Sequence, residues 1–468
     1  MTPLVPLIMW GCIPAVLYIF SRLPPQRAMV MSMVGAWLFL PLAIFKVPGI
    51  PPYTKMAATG YGVLLATMVF DAVRLTTFKP GLLDLPMLIW CLCPFASSIT
   101  NDLGPYDGFS ASFAQVVTWG LPYFLGRIYL NNLEGMRQLA IGIFAGGLIY
   151  IPFCLVENAK GPLLHLIIYG FNAFEDWGQA KRYGGWRPVV FMQHGLMVGV
   201  WMMSAALIGL WFWKTGTLKK LWNIPVKRLA IAVTISFILC LSTGAYILLL
   251  LGLLILFTGK WLRTSLPLII LISGISFYLY VGVSGTFSSK DIIAGMSVVF
   301  SPDRVASLKF RFDNEEILGD KARQRMLFGW GGFGRNRVFD QNGKDISITD
   351  SLWIIAFGIN GVVGLSSLTA SFFLPVLSFA LIRYPARSWS NPKVAPAAIL
   401  AVLLILYMLD CVLNAMVNPI FALTCGGLSG LVQKDTEPYD RKAVRPSAQA
   451  RSLAQSKSKA APTRGRSL

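Results

Sequence analysis

Apolar runs of about 17 to 25 residues recur along most of the chain, each bounded by a short polar break. A helix of that length crosses the hydrocarbon core of a bilayer. The pattern predicts thirteen crossings, near 4–20, 28–46, 56–73, 82–100, 111–130, 137–156, 188–213, 229–243, 244–259, 265–283, 361–384, 394–413 and 416–432. No basic segment precedes "LVPLIMWGCIPAVLYIF" and no small-residue cleavage motif follows it. That stretch is expected to be a retained first helix rather than a signal peptide.

The region 229–259 is apolar throughout and interrupted only by "STG" at 242–244. Read as one helix, it puts 284–347 in the cytoplasm; read as two short crossings, it puts that loop outside. Basic residues decide between the two. "KTGTLKKLWNIPVKR" (214–228) carries five basic residues and no acid, and Gln433–Leu468 carries nine basic against three acidic. Lys/Arg-rich loops stay in the cytoplasm. Two crossings satisfy both segments and also place "GKWLR" (259–263) and "RYPARSWSNPK" (383–393) inside.

Composition agrees with this reading. Of 468 residues, 55% are hydrophobic and 13% charged, about half the charge of a soluble domain, which runs near ~25%. Mean hydropathy is +0.62. The expected fold is an all-α polytopic membrane protein with about 13 (12–14) transmembrane helices and a large outer loop. Residues 1–432 form the membrane domain, with outer loops at 157–187 and 284–350. Residues 433–468 form a basic, disordered cytoplasmic tail suited to anionic lipid. Net charge of +20 would suit nucleic acid, but the tail lacks interleaved aromatics to stack on bases, so no nucleic-acid partner is expected. No internal repeat is evident, which argues against a carrier built from symmetric halves.

The seven cysteines fall in apolar runs and Cys91-x-Cys93 is too close for a redox pair. With only two histidines, His165 and His194, no zinc spacing exists and no metal or cofactor is expected.

The outer loops carry the candidate chemistry. In "QAKRYGGWRPVVFMQHG", Arg182 and Arg187 flank a Gly-Gly turn, Pro188 is expected to start the next helix, and His194 to lie about two turns inside it. These side chains suit either lipid-headgroup anchoring and helix packing or a functional cavity at membrane depth. Arg304, Arg311, Arg323, Arg325, Arg335 and Arg337 supply six guanidinium forks within 34 residues, and the fork matches phosphate and diphosphate oxygens. Most are expected to pair with Asp313, Glu315, Glu316 and Asp320, leaving one or two for substrate. "FGWGGFGRNRVF" contains Gly329-x-Gly331-x-x-Gly334, but neither a preceding strand nor a following helix is expected, so a dinucleotide site is disfavoured. In "SITDSLWIIAFGINGVVGL", Ser347 or Thr349 is expected to cap a helix with Asp350 in its first turn.

Three blocks in this order resemble the O-antigen ligase and Wzy-type polysaccharide polymerase superfamily of bacterial inner-membrane glycosyltransferases. They are "RYGGWRPVVF" from Arg182, Arg311 ahead of "LFGWGGFG", and "TDSLWIIAFGINGVVGL". "DCVLNAMVNPIFALTCGGLSGL" resembles the last two helices of that family, so the likeness covers roughly 180–432. It implies chemistry on undecaprenyl-diphosphate-linked glycans at the periplasmic face of the inner membrane, without metal or nucleotide sugar. A flippase and a chain-length regulator are implied as further partners. Arg182 and Arg311 match the two functional arginines of the family, with Arg187, Arg325 and Arg335 as further diphosphate-binding candidates. Ligases carry His-Asn where this chain has Thr349-Asp350-Ser351, which favours repeat-unit polymerisation over ligation. The implied base is Asp350, or else His194, and a single displacement inverts the anomeric centre. A ligase and a lipid-linked glycan transporter are the alternatives. The transporter reading would need polar groups within helices, where Asp71 and Asp410 are the main acids, both near helix ends.

Overall fold

The computed structural model describes residues 1–46, 51–173, 177–182, 184–286, 293 and 302–434. The expected disordered tail lies almost wholly outside these residues, as do most of 287–301 and the side chain of Arg304.

The described chain is almost entirely helical. Its principal helices are α1 (Leu4–Arg22), α2 (Pro25–Phe39), α3 (Lys55–Phe70), α4 (Leu85–Thr100), α5 (Pro105–Gln115), α6 (Leu121–Tyr129) and α7 (Leu133–Lys160). They continue as α8 (Gly195–Thr215), α9 (Val226–Leu239), α10 (Thr243–Trp261), α11 (Leu266–Ser284), α12 (Pro302–Arg323), α13 (Leu352–Leu377), α14 (Ala395–Leu413) and α15 (Pro419–Gln433). Three two-residue antiparallel ladders are the only paired strands among the described residues.

Each of the thirteen expected crossings contains helix, but among the described residues eight helices are long and apolar enough to cross a membrane. The shortfall has a geometric cause. At 1.5 Å rise per residue, a helix of 14 residues such as α9 reaches about 21 Å, short of the ~30 Å hydrocarbon core. The α5–α6 crossing is interrupted by a π-turn at Val116–Gly120, and α2, α3 and α15 are 15 or 16 residues long. The eight long apolar helices make this a polytopic membrane protein. Helices α8 and α14 form its centre: 89% of each apolar window is buried, against 22% for α11. Their sequences are accordingly apolar on every face rather than on one stripe.

The ambiguous region 229–259 is two helices. Leu241, at φ +51, lies between them. At the start of α9, Lys227 lies over the ring of Trp213, near the C-terminus of α8. At its end, Leu241 O accepts from Arg187 Nη2 beside the start of α8. In α10, a Cβ on Gly199 would meet Ser242, one on Gly252 meets Leu207, and Lys260 Nζ donates to Lys214 O. Thus α9 runs antiparallel to α8 and α10 runs parallel to it. The basic segments at 214–228, 259–263 and 383–393 consequently share one end of the bundle, with Trp389 packed on Gly259. The arginine-bearing segments gather at the other end.

Helix α13 is broken. Gly361 adopts φ +64 and ψ −166 in mid-helix, which frees backbone groups that a membrane interior must satisfy internally. The glycine loop satisfies them. Trp330 N donates to Gly358 O and Gly331 N to Ile359 O, while Val362 N and Val363 N donate to Met326 O and Leu327 O. Ser97 Oγ adds a bond to Ile359 O, and Asn101 Nδ2 clamps Gly329 O. Gly329, at φ +69, brings its backbone so close that a Cβ would lie 2.5 Å from the Ile359 carbonyl. The loop therefore docks on a helix break, using its glycines for close backbone approach.

Candidate functional site

The first candidate arginine lies in a hairpin, where Lys181–Arg182 pairs with Gly185–Trp186 around Gly184 at φ +77. A turn is thus present, but Gly185 lies in the second strand opposite Arg182, so only Gly184 of the expected Gly-Gly pair is in it. After it the chain does not become helical at Pro188. Arg187 N donates to Ala180 O at 2.7 Å, and an irregular segment then passes into the bundle. Its backbone is held by side chains from distant helices. Glu157 Oε2 accepts from Val189 N and Val190 N at 2.8 and 2.7 Å, while its Oε1 accepts from Leu164 N. Tyr150 OH accepts from Phe191 N, and the buried Lys55 ammonium donates to Phe191 O at 2.8 Å. These partners compensate for the lost helical bonds, since buried backbone groups must be paired. Helix α8 starts only at Gly195, so His194 is its N-cap rather than a residue two turns inside.

Capping fixes the imidazole. His194 Nδ1 accepts from Leu196 N at 3.1 Å, which leaves Nε2 as the protonated, donating nitrogen of the neutral ring. Burial first, then the charges of Arg187, Arg182 and Arg311, hold its pKa down at about 4. His194 is therefore neutral at physiological pH, and it donates rather than accepts at Nε2. Those same three arginines define the site: they come from the hairpin, the irregular segment and α12, and their fields meet at one ring. Arg182 Nε is buried without a protein hydrogen-bond partner.

Arg311 is positioned from two sides. Its Nη1 donates to Leu413 O, at the end of α14, at 3.1 Å. One turn further along α12, Glu315 accepts from Tyr278 OH at 2.6 Å, Ser351 Oγ at 2.8 Å and Trp353 Nε1 at 3.1 Å. Glu315 thereby ties α12 to α11 and α13; burial raises its pKa, opposed by these hydrogen bonds and by Arg311. Near Leu413 lies Asp410, only 8% exposed, with Oδ1 bound by Asn414 Nδ2 at 2.9 Å and Oδ2 without a protein partner. Sequence inspection noted Asp410 only as an acid near a helix end; its burial inside the bundle was the available signal that it matters. Glu157 was missed altogether, because its role is to bind a segment more than thirty residues away.

Asp350 is not in the first turn of a helix. Helix α13 begins at Leu352 with Ser351 as N-cap, so Asp350 precedes the cap and its side chain is exposed. Neither Ser347 nor Thr349 caps the helix; Ser347 Oγ donates to Asp345 Oδ1 instead. Arg325 and Arg335 belong to another place. Arg335 Nη1 donates to Asn101 O at 2.9 Å, and Arg325, exposed, lies 5.4 Å over the Trp330 ring. Both support the docked glycine loop rather than the ring of arginines around His194. Of the expected pairings, Arg323 pairs with Asp320. Arg337 pairs with Asp345.

No family model matches this chain, and no curated protein matches it. Its function is therefore argued from the site. All seven cysteines are buried and free, and among the described residues no three His, Cys, Asp or Glu side chains converge. The electrostatic surroundings of the neutral His194 ring are cationic, since Arg187, Arg182 and Arg311 each act to keep it unprotonated. Such a set suits an oxyanion with several oxygens, because forked, charge-assisted bonds are shorter and stronger than neutral ones.

Proposed function

We propose that the protein polymerises undecaprenyl-diphosphate-linked oligosaccharide repeat units at the periplasmic face of the bacterial inner membrane. The observation that supports the reading is that His194 is held neutral by burial and by the charges of Arg187, Arg182 and Arg311. In this reading the arginines bind the lipid diphosphate and neutralise the charge that grows on it as it leaves. His194 Nε2–H donates to a leaving oxygen. An acceptor sugar hydroxyl attacks the anomeric carbon, the bond from that carbon to the diphosphate oxygen breaks, and the configuration inverts. Asp350, exposed and one residue before Ser351, whose hydroxyl bonds Glu315 on the helix that carries Arg311, takes the hydroxyl proton in this reading. The basic end of the bundle faces the cytoplasm by the positive-inside rule, and thirteen crossings, some of them short, give that orientation.

The test is Arg311→Lys against Arg311→Ala, read as polymer length on extracted lipid-linked glycan at matched membrane abundance. Lysine keeps charge but loses the fork. Both variants are expected to lose roughly 10²-fold or more, the scale of one oxyanion donor. Near-normal polymer from the lysine variant would reduce Arg311 to a diffuse charge and remove the diphosphate contact from the reading.

A further inference from the structure

A cavity with no arginine in its lining lies between α4, α5 and the broken α13, with the docked glycine loop as one wall. Its volume is about 320 Å³, within the range of small-ligand sites. Trp90, Trp119, Ser98, Gln115, Gly331 and Asn360 are among its lining residues, and no lining side chain is ionisable. Trp90 and Trp119 meet edge to face with centroids 6.1 Å apart.

Three buried polar atoms of these residues have no protein hydrogen-bond partner: Trp90 Nε1, Gln115 Nε2 and Asn360 Oδ1. Trp90 and Asn360 are each only 4% exposed. A buried polar atom left without a hydrogen bond keeps its desolvation penalty, so an acyl chain filling this space would retain a penalty that a hydroxylated ligand removes. Two orphan donors and one orphan acceptor call for groups that both accept and donate, which hydroxyls do. The aromatic walls suit the apolar face of a ring. The uncharged lining offers no counter-charge for a phosphate or carboxylate ligand.

We propose that this cavity is a binding site for an uncharged sugar ring, separate from the arginine site. It stands on its own geometry; under the polymerase reading its occupant is a sugar of the glycan.

The experiment uses the full chain in lipid nanodiscs, with empty nanodiscs as the blank. Calorimetric titrations compare octyl glycosides of glucose, galactose, mannose and N-acetylglucosamine with 1-octanol. At least one glycoside is expected to bind tenfold or more tightly than octanol. Asn360→Leu and Gln115→Leu are expected to weaken that glycoside at least tenfold while leaving octanol unchanged. Trp90→Phe keeps an aromatic face but removes the N–H together with the pyrrole part of the indole, and is expected to weaken binding several-fold, so the proposal remains testable if a leucine variant fails to fold. Equal binding of octanol and every glycoside, or undiminished glycoside binding by the folded variants, overturns it. Polymer formation plays no part in this readout, so its failure and that of the polymerase reading are distinguishable.

Discussion

Gly329→Ala is the sharpest perturbation of the architecture, because three neighbouring glycines give a graded series. At Gly329 the φ of +69 alone costs an L-residue about 1–2 kcal/mol. The added Cβ would also lie 2.5 Å from the Ile359 backbone and 2.6 Å from Gly361 N. Relief requires the loop to lift, yet Asn101 Nδ2 holds Gly329 O at 2.8 Å. Lifting breaks at least the bonds from Trp330 N and Gly331 N, 2.8 and 3.0 Å long, each contributing about 0.5–1.5 kcal/mol. The total is about 2–5 kcal/mol. Gly334, at φ +71 with only Arg337 Cδ 3.7 Å from a new Cβ, should cost the conformational part alone, about 1–2 kcal/mol. Gly332 has nothing within 4 Å, and its alanine variant should stay within about 0.5 kcal/mol of the parent. The assay is thermal unfolding of detergent-solubilised protein, followed as the fraction remaining monodisperse on size exclusion. The expected order of stability is Gly332→Ala, Gly334→Ala, Gly329→Ala. Equal stability of the Gly329 and Gly334 variants would refute the docking of this loop on the helix break.

Asp350→Asn should lower polymer synthesis by roughly 10²–10⁴-fold at unchanged abundance if Asp350 is the base; if Asp410→Asn shows that loss instead, the buried carboxylate beside Arg311 takes the role. For His194, a folded pKa of about 4 against an ordinary 6.5 means that the unfolded chain binds more protons between those values. Stability from this group is therefore complete above about pH 6.5 and declines as pH falls towards 4. His194→Asn, which keeps an N-cap acceptor, should flatten that part of a stability–pH profile measured by thermal unfolding; an unchanged slope would remove His194 as its source. Reporter fusions at 320 should read periplasmic and those at 220 and 445 cytoplasmic, and a cytoplasmic reading at 320 would invert the proposed topology.

The sequence by itself determined where the helices lie and which ends are basic, because run length and Lys/Arg bias are local properties that a bilayer reads directly. It also marked the interruption near 242, where two opposed helices satisfy the charges that one long helix would not. It could not place the start of α8. "PVVFM" has the composition of a helix, and it is irregular because Glu157, Tyr150 and Lys55 supply its backbone partners from helices far away in sequence. The glycine spacing likewise left its purpose open, since a positive φ becomes informative only with the partner it lets the backbone approach, here the break at Gly361. The arginine content was plain in the sequence, but its division was not. The charges of Arg182, Arg187 and Arg311 act on His194, while Arg335 is spent on Asn101 O. Side chains more than a hundred residues apart share a site only when helices bring their ends together, and tertiary packing alone decides that.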